Sequence, residues 1–198
     1  MVKEYLLKLG YSDEEIDAIL SSYPICSLKE DTLLAKIKEV YCLLISLGYS
    51  REDVIKMTKQ LPSLFGYSIE NINQKIDDLI YLGYSREDVI KMTKTLPTLF
   101  GYSIENIKQK IDDFISLGYN CDDIMKMTKQ LPSLFGLSVE NINQKIDDLI
   151  SLGYSRDDVI KMTKQLPSLF GLSVENIKQK IDDLISLGYS RDDVIKMT

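Results

Sequence analysis

Apolar positions in residues 47–81 follow two helical patterns separated by one proline. Val54, Met57 and Leu61 fall at i, i+3 and i+7, with Ile55 beside them, which is the pattern of one helix face. Ser50 precedes them as an N-cap, and Asp53 three residues on makes a weakened capping box. This predicts a first helix, A, from Arg51 to about Leu61. Pro62 cannot continue it, because it lacks the N–H and clashes with the preceding turn. Pro62-Ser-Leu-Phe65 is too short for an α-helix and predicts one 3₁₀ turn, with Leu64 and Phe65 plugging the gap between layers. Gly66 releases the chain and Ser68 caps a second helix, B. There Ile69, Ile72, Ile76, Leu79 and Ile80 form a 3.6-period stripe. Gly83 suits the left-handed position after helix B, and Tyr84 can cover Leu79 as in a Schellman motif. Ser85 then caps the next helix A.

The same pattern recurs along the chain. Leu-Gly-Tyr-Ser/Asn starts at Leu9, Leu47, Leu82, Leu117, Leu152 and Leu187, at intervals of 38 and then four times 35 residues. Units of this kind cannot bury their apolar faces alone, and they stack into a solenoid with one continuous core. The expected fold is therefore all-α, a helical-repeat solenoid of ~35-residue units, each with two α-helices and a short 3₁₀ turn. Residues 1–46 read as a divergent N-terminal capping repeat, with a three-residue insertion after Pro24 and with Cys42 and Leu43 in place of an acidic pair. Residues 47–186 are four near-identical 35-residue repeats, and 187–198 is a truncated C-terminal half-repeat. All form one continuous solenoid domain. Val194, Ile195 and Met197 are expected to be partly bare, which suggests a truncation or end-to-end self-association through the uncapped C-terminus.

Composition narrows the chemistry. The 198 residues carry no histidine, which removes Ser-His and Cys-His nucleophile pairs and histidine metal ligands. No GxGxxG, P-loop, HExxH or EF-hand pattern is present. An enzyme is not expected, and no cofactor or metal is implied. Cys26, Cys42 and Cys121 fit no disulfide or zinc spacing, so a reducing, intracellular setting is the simplest expectation. The start reads as neither a signal nor a transit peptide. That favours a cytoplasmic location, or an organelle only if a presequence has been removed. No run is long and apolar enough for a membrane helix, so no membrane partner is expected.

Three repeated features invite a functional reading. Tyr49, Tyr84, Tyr119, Tyr154 and Tyr189 could stack bases, but helix-end packing is the stronger expectation. Met57, Met92, Met127 and Met162 read as core filler. Asp77-Asp78, Asp112-Asp113, Asp147-Asp148 and Asp182-Asp183 resemble dyads. Neighbours on a helix point about 100° apart, however, so each pair reads as a solvated face.

The order Leu-Gly-Tyr-Ser, acidic helix start, Val/Ile-x-Lys-Met, Leu-Pro-x-Leu-Phe, Ser-x-Glu-Asn-Ile, Lys-Ile-x-x-Leu/Phe resembles the mitochondrial transcription termination factor (mTERF) repeat. The resemblance spans residues 9–198, with Pro62, Pro97, Pro132 and Pro167 in fixed register. It implies two α-helices and a 3₁₀ helix per repeat, stacked into a curved superhelix whose concave side holds duplex nucleic acid, and a role in transcription or RNA metabolism. The stretch Gly48–Lys56 is more weakly similar to TAL-effector-like repeats, which lack this proline register. Members of the mTERF family are typically basic. This chain has 24 Lys and Arg against 30 Asp and Glu, a net charge of -6.

A nucleic-acid site must therefore come from segregation of charge. Lys56, Lys91, Lys126, Lys161 and Lys196 form one lysine row, and Lys59, Lys94, Lys129 and Lys164 a second. Arg51, Arg86, Arg156 and Arg191 flank them. Regularly spaced cations without base-reading partners suit phosphate tracking in duplex DNA or RNA. The opposing account is that they are solvated lysines balancing Glu52 and Asp53. The alternating column Asn73, Lys108, Asn143, Lys178 is the only candidate for a per-repeat code. The alternative function is a protein-interaction or structural solenoid, natural or designed, with a protein partner in place of nucleic acid.

Overall fold

The computed structural model describes residues 1–197, without the side chains of residues 192, 196 and 197. Lys196 and Met197, named above for the first lysine row and the bare end, thus lie outside the described side chains. The element order is α1 (Val2–Lys8), α2 (Asp13–Ser21), a 3₁₀ turn (Ile25–Ser27), α3 (Glu30–Ser46), α4 (Arg51–Gln60), a 3₁₀ turn (Pro62–Gly66), α5 (Ile69–Tyr81) and α6 (Arg86–Thr95). It continues with a 3₁₀ turn (Pro97–Gly101), α7 (Ile104–Ser116), α8 (Cys121–Gln130), a 3₁₀ turn (Pro132–Gly136) and α9 (Val139–Ser151). Then follow α10 (Arg156–Gln165), a 3₁₀ turn (Pro167–Gly171), α11 (Val174–Ser186) and α12 (Arg191–Met197). Among the described residues there is no strand. The protein is an all-α repeat solenoid in which even-numbered helices are A helices and odd-numbered ones B helices.

Local chemistry sets the boundaries. Ser50 accepts from the Asp53 N–H at 3.1 Å while Asp53 accepts from the Ser50 N–H at 2.8 Å, a complete capping box. At the other end of a repeat, the Tyr84 N–H donates to the Leu79 carbonyl and the Gly83 N–H to that of Ile80. This is the Schellman pattern, and Gly83 holds the φ of 103° that it demands. The insertion after Pro24 lengthens helix B: α3 has 17 residues where α5, α7, α9 and α11 have 13. That is about one extra helical turn.

The chain forms two compact units, Met1–Ile104 and Glu105–Thr198, divided at the start of α7. In the first unit α4 packs on α6 and α3 on α5, giving an A layer and a B layer. In the second, α8 packs on α10 and α9 on α11 in the same way. Ile72, Ile76 and Leu79 of the helix-B stripe are buried. Ile69 is half-buried and Ile80 is 37% exposed, so the stripe is narrower than its pattern suggests. Leu64, Phe65 and their counterparts in later turns are buried plugs. Val194, expected to be bare, is buried in the core of the second unit with Leu152, Tyr154 and Val159, and Ile195 packs against it.

Within each unit, consecutive repeats are joined by buried Tyr–Thr hydrogen bonds. Tyr11 meets Thr58 at 2.8 Å, Tyr49 meets Thr93 at 2.6 Å and Tyr119 meets Thr163 at 2.6 Å. Each threonine hydroxyl donates to a carbonyl in its own helix, so the tyrosine O–H is the donor across the seam. Burial pushes the Tyr11 and Tyr49 phenols up to about 12, the threonine hydroxyls offsetting part of the rise.

Two predictions follow from these contacts. A Cβ on Gly66 would lie 2.7 Å from the Pro24 ring, whereas one on Gly171 would meet nothing within 4 Å. Gly66→Ala should lower the urea-unfolding free energy by about 1–3 kcal/mol, and Gly171→Ala should change it by less than about 1 kcal/mol. The raised phenols predict alkaline sensitivity. The unfolded chain releases these protons near pH 10 and the folded one only near 12. The stability they confer is present below pH 10 and lost as pH rises to 12, on the order of 2 kcal/mol per tyrosine. The unfolding midpoint, followed by circular dichroism, should be insensitive to these groups through neutral pH and fall across that window.

Candidate nucleic-acid interface

Helix A carries its lysines three residues apart, on the face turned away from Val54 and Met57. The structure separates the two rows. Second-row lysines reach back to the acid in the first turn of the preceding helix A. Lys59 pairs with Glu15 at 2.6 Å, Lys94 with Asp53 at 2.7 Å and Lys164 with Asp123 at 2.7 Å. Lys94 also lies 5.9 Å from the centre of the Tyr49 ring. Burial pushes the Asp53 carboxyl up, but the Lys94 ammonium and the Ser50 N–H more than offset it and hold it below the usual carboxylate range. The Lys59 ammonium and Ser12 lower Glu15 in the same sense.

The first row faces solvent. Lys56 and Lys126 are exposed and form no ion pair among the described residues. Lys91 pairs within its own helix with Glu87 at 2.7 Å, and Lys161 with Asp158 at 3.9 Å, both lysines and Glu87 being largely exposed and Asp158 about half. Such pairs are worth little and exchange readily for another anion. In the first unit a cleft of about 550 Å³ runs between α4 and α6, lined by Asp53, Lys56, Gln60, Lys91, Lys94 and Thr95. It brings together both lysines of one repeat and the first-row lysine of the repeat before.

The arginines act differently. Arg51 donates to the carbonyls of Leu9 and Lys8 at 2.8 and 2.9 Å, Arg156 to that of Leu117 at 3.3 Å and Arg191 to that of Leu152 at 2.6 Å. These carbonyls close α1, α7 and α9, in each case the helix B before the one that directly precedes the arginine, and there a cation also favours the helix dipole. Arg86 is exposed, and its charge acts on the Tyr49 phenol. Cys121 holds the arginine position in the third near-identical copy.

The tyrosine column is buried except for Tyr189, so four of its five members are closed to base stacking. Thr58, Thr93, Thr128 and Thr163 are fully buried, and pattern reading passed over them. Their signal was a hydroxyl on the same face as Val54 and Met57, which requires a buried partner. Asp78, Asp113, Asp148 and Asp183 accept from Gln74, Gln109, Gln144 and Gln179 one turn earlier, while Asp77 and its counterparts point to solvent. The paired acids therefore do not converge. Among the described residues no group of three or more acids and cysteines is placed to hold a metal, and no helix is long and apolar enough to cross a membrane.

These features define a class: a helical-repeat protein in each of whose units the helices A carry exposed lysines. The mTERF family pattern matches residues 1–116 and 106–198, together the whole chain, and the protein belongs to that family. Membership suggests, in broad terms, a nucleic-acid-binding repeat protein. No curated protein matches the chain.

The separation of the rows is itself testable. Lys94→Ala should lower stability by up to about 1 kcal/mol and let the Asp53 carboxyl pKa return toward its usual range in an NMR titration. Lys56→Ala should move stability by less than about 0.5 kcal/mol. The contribution of the Lys94–Asp53 pair is present at neutral pH and lost as pH falls through the lowered pKa of Asp53.

Proposed function

We propose that the protein binds duplex nucleic acid through the A layer, in a role connected with transcription. First-row lysines Lys56, Lys91, Lys126 and Lys161 contact phosphates, and Lys94 and Lys164 flank them from their ion pairs. The observation that carries this reading is the partition of charge between layers. Helices α4, α6, α8 and α10 carry net charges of +1, +1, 0 and +1, while α5, α7, α9 and α11 carry -2, -1, -2 and -1. The net acidity therefore comes from the N-terminal repeat and the B helices, and does not oppose an anion at the A layer. Arg51 and Arg156 are assigned to helix capping in this account, and Arg86 remains a phosphate contact. A reducing, intracellular compartment suits the three exposed thiols, Cys26, Cys42 and Cys121.

Phosphate contacts from one exposed row carry no base recognition, so binding is expected to be salt-sensitive and weakly sequence-selective. Four neutralised phosphates predict a slope of about -3.6 for log K against log salt on duplex DNA. Replacing Lys56, Lys91, Lys126 and Lys161 together by Ala should abolish most of that slope without unfolding the protein. No binding to duplex DNA or RNA at low salt would contradict the proposal, as would an unchanged slope in the fourfold variant.

A further inference from the structure

We propose that the helices A recognise ribose, so that the protein prefers duplex RNA to duplex DNA; this rests on the phosphate-contact reading above. One turn beyond each first-row lysine stands an uncharged hydrogen-bonding side chain. Gln60 follows Lys56 on α4 and Thr95 follows Lys91 on α6, each four residues on and so on the same helix face. All four side chains line the cleft of about 550 Å³ between these two helices. In the second unit Gln130 follows Lys126 and Gln165 follows Lys161 at the same spacing, and all four are exposed.

The cleft thus holds a pair of cations and, beside it, a pair of neutral polar groups. Asp53 in the same cleft is neutralised by Lys94 at 2.7 Å, so the cations turned to a ligand are Lys56 and Lys91. Gln60 is exposed at the last position of α4, and its amide makes no hydrogen bond among the described residues, so its N–H groups are free to donate. The Thr95 hydroxyl donates to the Lys91 carbonyl at 3.0 Å, which leaves its oxygen to accept.

Shape decides which part of a duplex meets these groups. A cleft on the protein receives what protrudes from a duplex, its sugar–phosphate backbone. Base edges lie within the duplex's own grooves and are read by elements that project into them. A phosphate between Lys56 and Lys91 sets the neighbouring sugar beside Gln60 and Thr95. A deoxyribose there offers no O–H, and both side chains lose water without exchange. A ribose offers its 2′-hydroxyl, which accepts from the Gln60 amide and donates to Thr95 Oγ1. An A-form RNA duplex displays these hydroxyls in a wide, shallow minor groove, open to such contacts. A sugar carries no base identity, so the preference is for RNA over DNA and not for a sequence.

The test sets the full chain against labelled duplexes of one sequence made of RNA, DNA or 2′-O-methyl RNA, followed by fluorescence anisotropy at one low salt concentration. RNA should bind about tenfold tighter than DNA, the return on one or two hydrogen bonds. The 2′-O-methyl duplex keeps the A-form shape but has no O–H, and should bind about as DNA does. The variant Gln60→Ala, Thr95→Ala, Gln130→Ala, Gln165→Ala alters exposed helical positions, so its circular dichroism should be unchanged while its RNA affinity falls to about that for DNA. Equal affinity for RNA and DNA, full affinity for the 2′-O-methyl duplex, or an RNA preference kept by the variant would overturn the inference and leave duplex binding in place. Failure to bind either duplex would remove the duplex reading and this inference with it.

Discussion

The structure depends on the seam between one repeat and the next. The tyrosine that precedes one helix A donates its hydroxyl to a threonine buried in the next helix A, one repeat further on. A phenol removed from water without a partner would cost roughly 1–3 kcal/mol, so each seam is held in register by a bond that is expensive to leave unmade. Two further contacts join it from the same helix A. An arginine at its first position caps the helix B that ends just before that tyrosine, and a lysine in its last turn reaches an acid in the first turn of the preceding helix A.

That seam uses many of the residues that a functional reading would otherwise claim. The tyrosines are buried, Arg51 and Arg156 hold helix ends, and Lys59, Lys94 and Lys164 hold their neighbours. The first-row lysines are left with solvent or short pairs within their own helix. Although the chain is acidic as a whole, each unit thus presents lysines on its helices A and carboxylates on its helices B.

The elements within a repeat were legible in the sequence because they are set by neighbours. Ser50, Asp53, Pro62 and Gly83 act over a few residues, and the helices end within a residue or so of where these place them. The seam was not legible. Thr58 and Tyr11 lie 47 residues apart, and Arg51 lies 42 from the carbonyl of Leu9. Periodicity shows that Lys56 and Lys59 share a face, but not that Glu15 stands opposite only one of them. Ile80 fits the apolar stripe by spacing and yet is exposed, because period alone does not show how far the neighbouring layer extends.

The central claim is that position in the seam divides the lysines into structural and ligand-facing rows. Residue-resolved amine labelling read by mass spectrometry, with and without duplex DNA at low salt, tests it most directly. In the free protein Lys56, Lys91, Lys126 and Lys161 should label readily and Lys94 and Lys164 slowly, and DNA should protect the first group while leaving Lys108 and Lys178 unchanged. Protection of Lys108 and Lys178, or equal labelling of both rows in the free protein, would contradict the account.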